Sequence, residues 1–285
     1  MKNEVEYMKK VICALAILSV MTTLFSGCRY SFDTDFNFGG STGNSSQTGE
    51  TTIDASDLEE LKVDVGVGQV RISKSSDKNA EIKYKKTIRG KSEHVKEVAD
   101  RIMIVTEAVG EKLVVEVKTN NGDAKDFWEW LSKEYNNINV SVDIEIKIPD
   151  NIDAIDVNVG VGDIKINDLK GKYNLASGVG SVNMNNVSMK DKCVITTGTG
   201  DIDMNCDIED ADGLSVQSGV GSITVRLPRD AQFDLDAAAG VGRIKGSLIT
   251  PNKDTFVGDT LKQKVNGGSI DLEATTGTGD IIINK

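Results

Sequence analysis

One short pattern recurs through this chain and limits what it can fold into: apolar alternation, a Gly-x-Gly, then apolar alternation again. It reads Val157-Asn158-Val159-Gly160-Val161-Gly162-Asp163-Ile164-Lys165-Ile166 and returns at Gly66/Gly68, Gly178/Gly180, Gly198/Gly200, Gly219/Gly221, Gly240/Gly242 and Gly277/Gly279. Ahead of the first glycine stand Ile155, Val157 and Val159 in one copy, Leu61, Val63 and Val65 in another, and Leu235, Ala237 and Ala239 in a third. Residues two apart point to one face of a strand, so each set is a buried face. After the glycines the buried positions fall at Ile164/Ile166, Val182/Met184, Ile202/Met204, Ile223/Val225 and Ile281/Ile283. From Val161 to Ile164 is three residues, and such a slip sends the second apolar set outward unless the chain turns there. Glycine permits the turn because it tolerates positive φ and has no side chain to strike a neighbouring backbone.

Two architectures fit, a hairpin meander and a coil of a solenoid. The first glycines are separated by 18, 20, 21 and 21 residues from Gly160 to Gly240, then by 37 to Gly277. A period near 20 marks stacked repeats that bury their faces against their neighbours. The expectation is therefore an all-β protein: a parallel β-solenoid of about 20-residue coils with two short strands each, glycines in a column along one edge, and a small α+β cap at the N-terminal end. Many short strands at 8–12-residue spacing also suit a sandwich or barrel, and the meander stays open.

The formal charge of −11 gives the molecule no electrostatic reason to seek nucleic acid or anionic lipid. Few prolines (3), few aromatics (5%) and 28 glycines describe tightly turned strands with small side chains.

Taken in order, residues 1–28 read as a signal. Lys9-Lys10 precede the apolar run from Val11 to Phe25, too short for a confident membrane span, and Met8 is a candidate start. Leu24-Phe25-Ser26-Gly27-Cys28 resembles the lipobox of bacterial lipoproteins, which implies that Cys28 is acylated and becomes the mature N-terminus. Residues 29–57, polar and rich in glycine and serine, are expected to be a flexible tether. Residues 58–150 are assigned to N-terminal strands with short helices, and 151–285 to the repeat. Lys83, Lys85, Lys86, Arg89 and Lys91 read either as an anion patch or, preferred, as lysines guarding an edge strand. Residues 92–101 are expected to be helical, capped by Ser92, with Val95, Val98 and Ile102 on one face and His94, the only histidine, exposed. Residues 126–135 break the pattern and carry both tryptophans. At helical spacing Phe127, Trp130, Leu131 and Tyr135 share a face, with Trp128 off it. Such a stripe usually packs inward as a cap. The functional reading is an aromatic binding platform of Phe127, Trp128, Trp130 and Tyr135.

The strand order ending in Ile148-Pro149, followed by Gly-[Val/Thr]-Gly-[Asp/Ser]-[Ile/Val]-x-[Ile/Met/Val] repeats, resembles the bacterial putative-adhesin family, a domain of unknown function in envelope proteins. The resemblance covers about residues 60–285. It implies a right-handed β-helix-like fold and an exported, surface-exposed location, and it brings no catalytic residues.

Catalysis finds little purchase: one histidine, no nucleophile elbow, and Gly-x-Gly copies that precede strands instead of helices. Asp163, Asp201 and Asp280 follow the second glycine, but Ser181 and Ser222 interrupt any calcium-binding column, so turn capping is expected and no metal or cofactor. Cys193 takes a buried apolar register position. A hairpin centred on Thr199–Gly200 would set it opposite Cys206, whereas a solenoid would separate them. The sequence thus reads as a lipid-anchored, extracytoplasmic, non-enzymatic adhesin-like protein, its partners the membrane through Cys28 and an envelope protein or glycan, with no nucleic acid. The alternatives are a carbohydrate-active β-helix enzyme and a structural or regulatory envelope lipoprotein.

Overall fold

The computed structural model describes residues 29–39, 42–119, 129, 131–135, 137–251 and 258–285. The repeat forms stacked coils joined by parallel pairing. On one side the register runs Ile164 to Val182, Val182 to Ile202, Ile202 to Ile223, Ile223 to Ile281 and Ile281 to Ile244. All of these side chains are buried in one continuous core. Parallel neighbours exclude the meander for the array, because a hairpin makes antiparallel pairs. In line with that, Cys193 pairs in register with Leu214 and Cys206 with Val187, and both thiols are free and buried.

A well-formed coil has three sides, where two strands were expected. After its glycine corner the strand Val182–Thr199 runs along one side at 182–185, turns at Asn186 (φ 53), covers another at 187–190, and turns again at Asp191 (φ 54) onto the side that leads into the next glycine corner, 192–199. The third side stacks like the others, with Lys170 against Ser188 and Ser188 against Asp207. Asparagine and aspartate tolerate the left-handed conformation, so these corners need no glycine and leave no mark in a glycine pattern.

Stack order also departs from chain order. The last strand pair, Ile270–Thr278 and Ile281–Asn284, lies between the Gly219 coil and the Gly240 coil. In space the first glycines therefore run 66, 160, 178, 198, 219, 277, 240. The corner glycine Gly242 shows the correction most directly. A column stacked in chain order sets Gly242 against Gly221, the second glycine of the preceding copy. In the structure a Cβ on Gly242 would instead lie 1.9 Å from the carbonyl oxygen of Gly279, and it is Gly279 that lies against Gly221. The physical reason is the inserted coil: residues 270–284 pair in parallel with both neighbours and hold them apart. The final strand residues thus sit inside the stack, and the Gly240 coil is covered by the antiparallel strand Asp259–Val265, paired with Phe233–Val241.

At the opposite end the Gly66 coil continues the column onto Gly160, so residues 60–74 belong to the stack although they were assigned to the cap. Beyond it, Val70–Lys74 pairs with Asn139–Ile148, which pairs antiparallel with Asn79–Lys91. On the neighbouring side Glu60–Val67 is followed by Lys112–Thr119 and Ile102–Val109.

The expected tether is instead sheet. Thr42–Asp54 pairs antiparallel with both Asn79–Lys91 and Arg29–Gly39, and buries Ser45, Thr51 and Ile53. Its small residues reflect close approach. A Cβ on Gly49 would stand 2.3 Å from the ring of Tyr84, its cross-strand partner, and the helix Ser92–Arg101 packs across the same two strands. That helix and its C-cap bury Val95, Val98 and Ile102 as expected, and Ala99 with them. Its N-cap is Lys91, which makes no side-chain capping bond, so Ser92 is not the cap.

Candidate interaction edge

The glycine corner is the most regular surface of the molecule. A Cβ on Gly178 would lie 2.5 Å from the carbonyl oxygen of Gly160 one coil away. One on Gly200, where φ is +150, would lie 2.1 Å from that of Gly180. Glycine is required at the corner because backbone there passes directly over backbone, and because L-residues avoid such φ values.

Beside the glycines runs a buried hydroxyl ladder that the sequence reading missed. Ser177 donates to the carbonyl of Gly162 (3.0 Å), Thr197 to Gly180 (2.9 Å), Ser218 to Gly200 (3.0 Å) and Thr276 to Gly221 (2.8 Å). All four are buried. Each satisfies a carbonyl turned out of the strand ladder, and a buried polar group left unpaired is costly. The signal was a Ser or Thr immediately before the first glycine. In the coils at and near the ends that place is Val65, Val159 or Ala239, so the apolar alternation hides the hydroxyl position.

The residue after the second glycine, in a column that Asp143 extends at one end, alternates between aspartate and a non-acidic side chain, and it does so in space. The column reads Asp143, Gln69, Asp163, Ser181, Asp201, Ser222, Asp280, Arg243. Each aspartate accepts the main-chain N–H of the next member: Gln69 to Asp143 (3.0 Å), Ser181 to Asp163 (2.9 Å), Ser222 to Asp201 (2.7 Å) and Arg243 to Asp280 (2.9 Å). The Lys245 ammonium and that N–H hold Asp280 below the usual carboxylate range. Along the chain Ser222 is followed by Arg243; insertion of the last coil puts Asp280 between them and restores the alternation. Adjacent carboxylates at strand spacing of roughly 4.8 Å would repel. Among the described residues no cluster of three or more His, Cys, Asp or Glu could hold a metal ion.

Between the two glycines the middle residue points outward. Val161, Val179, Val220 and Val241 are 49–53% exposed, and with Thr199 and Thr278 they form a line of six β-branched side chains on successive coils; in the end coil of Gly66 the equivalent Val67 is half-buried. The bare glycines flank this ridge. The ridge is an exposed row in which valines and threonines mix.

Other candidates fall elsewhere. Cys28, Phe127, Trp128 and Trp130 lie outside the described residues. Tyr135 is half-buried: its ring stands 4.7 Å from that of His94 and its hydroxyl donates to Glu97 (2.7 Å), which ties it to the helix. His94 is half-buried too, with Nε2 3.1 Å from Glu93. Asn79–Lys91 is flanked by a strand on each side, so its lysines guard no edge. Lys86 is buried instead, and donates to the carbonyls of Ala99 (2.6 Å) and Ile102 (3.0 Å) at the helix C-terminus. Burial pulls its pKa down to about 8. Burial also pushes the Cys206 thiol up to about 12.

The stacked array of glycine corners fits one known domain. Residues 153–284 match the Toastrack family, DUF4097. Over these residues it bears out the resemblance that the repeated motif carries to a domain of unknown function. The Toastrack match opens beside the strand Ala154–Val161 and leaves out the Gly66 coil, though that coil continues the same column. Similar solved structures include a putative cell adhesion protein from Clostridium sporogenes (15% identity, 90% of this chain and 99% of that chain, TM-score 0.45). Others are a putative adhesin from Bacteroides fragilis (18%, 82% and 96%, 0.39) and a putative lipid binding protein from Parabacteroides distasonis (14%, 84% and 97%, 0.32). At these scores the overlap is loose. No curated protein matches the sequence.

Proposed function

We propose that the chain is a non-enzymatic, lipid-anchored surface protein of adhesin type that presents its glycine corner to an envelope or extracellular partner. The exposed ridge of Val161, Val179, Thr199, Val220, Thr278 and Val241 carries this reading. Each member is fixed by the coil beneath it, so a partner can bind a preformed surface without ordering it first. The stack is read as right-handed, as the family resemblance implies. Acylation of Cys28 supplies the anchor, and because a strand begins at Arg29 the folded body would stand close to the bilayer, not at the end of a tether.

The experiment is protease shaving and adherence of intact cells, with palmitate labelling of the protein. Wild type is expected to incorporate palmitate and be cleaved at the surface, and Cys28→Ala to lose the label. Val179→Asp with Val220→Asp is expected to abolish adherence at unchanged protein level. Normal adherence of that variant sinks the ridge as the binding element.

A further inference from the structure

The side of the stack that follows the glycine corner holds a groove of about 450 Å³, with Met184 in its lining. Four amides, those of Asn167, Asn183, Asn185 and Asn205, line it beside Lys165. Parallel register fixes their pattern: Asn167, Asn185 and Asn205 occupy one column on successive coils, and Lys165 and Asn183 the adjacent one. Strand spacing sets neighbours within a column roughly 4.8 Å apart.

None of the four side-chain amides has a hydrogen-bond partner among the described residues. Elsewhere asparagine is put to structural use: Asn186 donates to Asp168 (2.7 Å), Asn174 to Asp156 (3.1 Å), Asn266 to two carbonyls, and Asn284 accepts from Ser247 (3.0 Å). The groove sets four such unengaged amides side by side.

The charges point the same way. At one end of the groove Asp203 and Arg226 form a two-bond ion pair and neutralise each other. Lys165 stands in no ion pair among the described residues, and its register partner on the preceding coil is Arg71, another cation. Arg71 has Glu145 in register on its far side, whereas Lys165 has only Asn183. Like charges directly opposite destabilise a sheet, and a bound anion relieves this pair. On a molecule of net charge −11, an unanswered lysine among free amides is a local exception.

We infer that this groove binds an acidic glycan. An amide presents both a donor and an acceptor, the complement of a sugar hydroxyl, which is also both. A grid of four amides suits a polyhydroxylated chain, and Lys165 receives its carboxylate. The inference rests on the surface-protein reading and adds a ligand class and a second binding face to it.

The test is calorimetric titration of the purified full-length chain, in detergent, with oligogalacturonate and with a neutral oligogalactan of matched length. Oligogalacturonate is expected to bind more tightly. Lys165→Gln should weaken it about tenfold and leave the neutral chain unaffected, the loss expected for one charge-assisted contact. Asn185→Leu should weaken both ligands, with Asn185→Ser as a second variant should the first fail to fold; Gln217→Ala, on another side of the coil, should change neither. Absence of heat with both chains, or parental binding by Lys165→Gln and both Asn185 variants, overturns the inference. Adherence separates it from the surface reading: cells that still need the protein to adhere but tolerate Lys165→Gln rule out the groove and leave the ridge standing.

Discussion

Two regions of this molecule are rich in glycine and small residues, the corner column from Gly66 to Gly279 and the strand Thr42–Asp54, and they use glycine differently. In the column, glycine faces backbone: a Cβ on Gly200 meets the carbonyl of Gly180 at 2.1 Å, with φ at +150. In the strand it faces a side chain: a Cβ on Gly49 meets the Tyr84 ring, and its φ is not positive. A main-chain carbonyl inside a ladder cannot step aside, whereas a half-buried tyrosine ring can turn. What a glycine lies against therefore decides how far it constrains the fold, and composition alone does not report that.

The comparison can be broken most directly at Gly200. Gly200→Ala is expected to cost about 4 kcal/mol or more, since it combines a backbone clash with a disfavoured φ in mid-stack. Urea unfolding with a cost below about 1 kcal/mol would show that the coils can part. Gly49→Ala should cost about 1–2 kcal/mol, the usual range for overpacking, and Tyr84→Ala in the same chain should recover part of it; equal costs at the two glycines would remove the distinction. Thr197→Val, which leaves the Gly180 carbonyl without its hydroxyl, should cost about 1–2 kcal/mol in the same assay. Val159→Thr offers a hydroxyl one coil lower, toward Gly68, and should be neutral or stabilising by a few tenths of a kcal/mol.

The N-terminal region supplies a pH-dependent counterpart, read by the same unfolding assay across pH. Lys86 has a folded pKa near 8, below its ordinary value, so between pH 8 and that value the unfolded chain holds more protons than the folded one. Stability should rise with pH through this window, and the penalty for burying the charge is fully present below it. Lys86→Met should flatten that rise while the stack's own stability is unchanged.

The column is plain in the sequence because apolar alternation and period coincide there: Ile164, Val182, Ile202, Ile223 and Ile281 hold the same place in each repeat and are register partners in the structure. The ladder of Ser177, Thr197, Ser218 and Thr276 was equally visible, but its meaning depends on which carbonyl lies below each hydroxyl. The third side escaped notice because its corners are Asn and Asp. Thr42–Asp54 escaped because its burial comes from Tyr84 and a helix distant in sequence, and local composition cannot report a distant partner. Gly242 was legible as a corner glycine, but its neighbour Gly279 was not, because a repeat read along the chain carries no sign that a later coil is inserted before an earlier one. The alternation at Asp163, Ser181, Asp201, Ser222, Asp280 and Arg243 likewise becomes regular only once the stack order is known.

That order bears on biosynthesis. The coil of residues 270–284 is made after residues 233–245, yet lies between them and the Gly219 coil. A nascent chain that has reached Lys245 cannot close its stack correctly; either the two faces wait apart with unpaired strand edges, or they pair wrongly and must reopen. Long-range strand pairing is slow and exposed edges aggregate, so the arrival of residues 270–284 sets how long this fold depends on protection. A ribosome that stalls before residue 270 releases a chain with an open slot in its middle, not one merely shortened at its end.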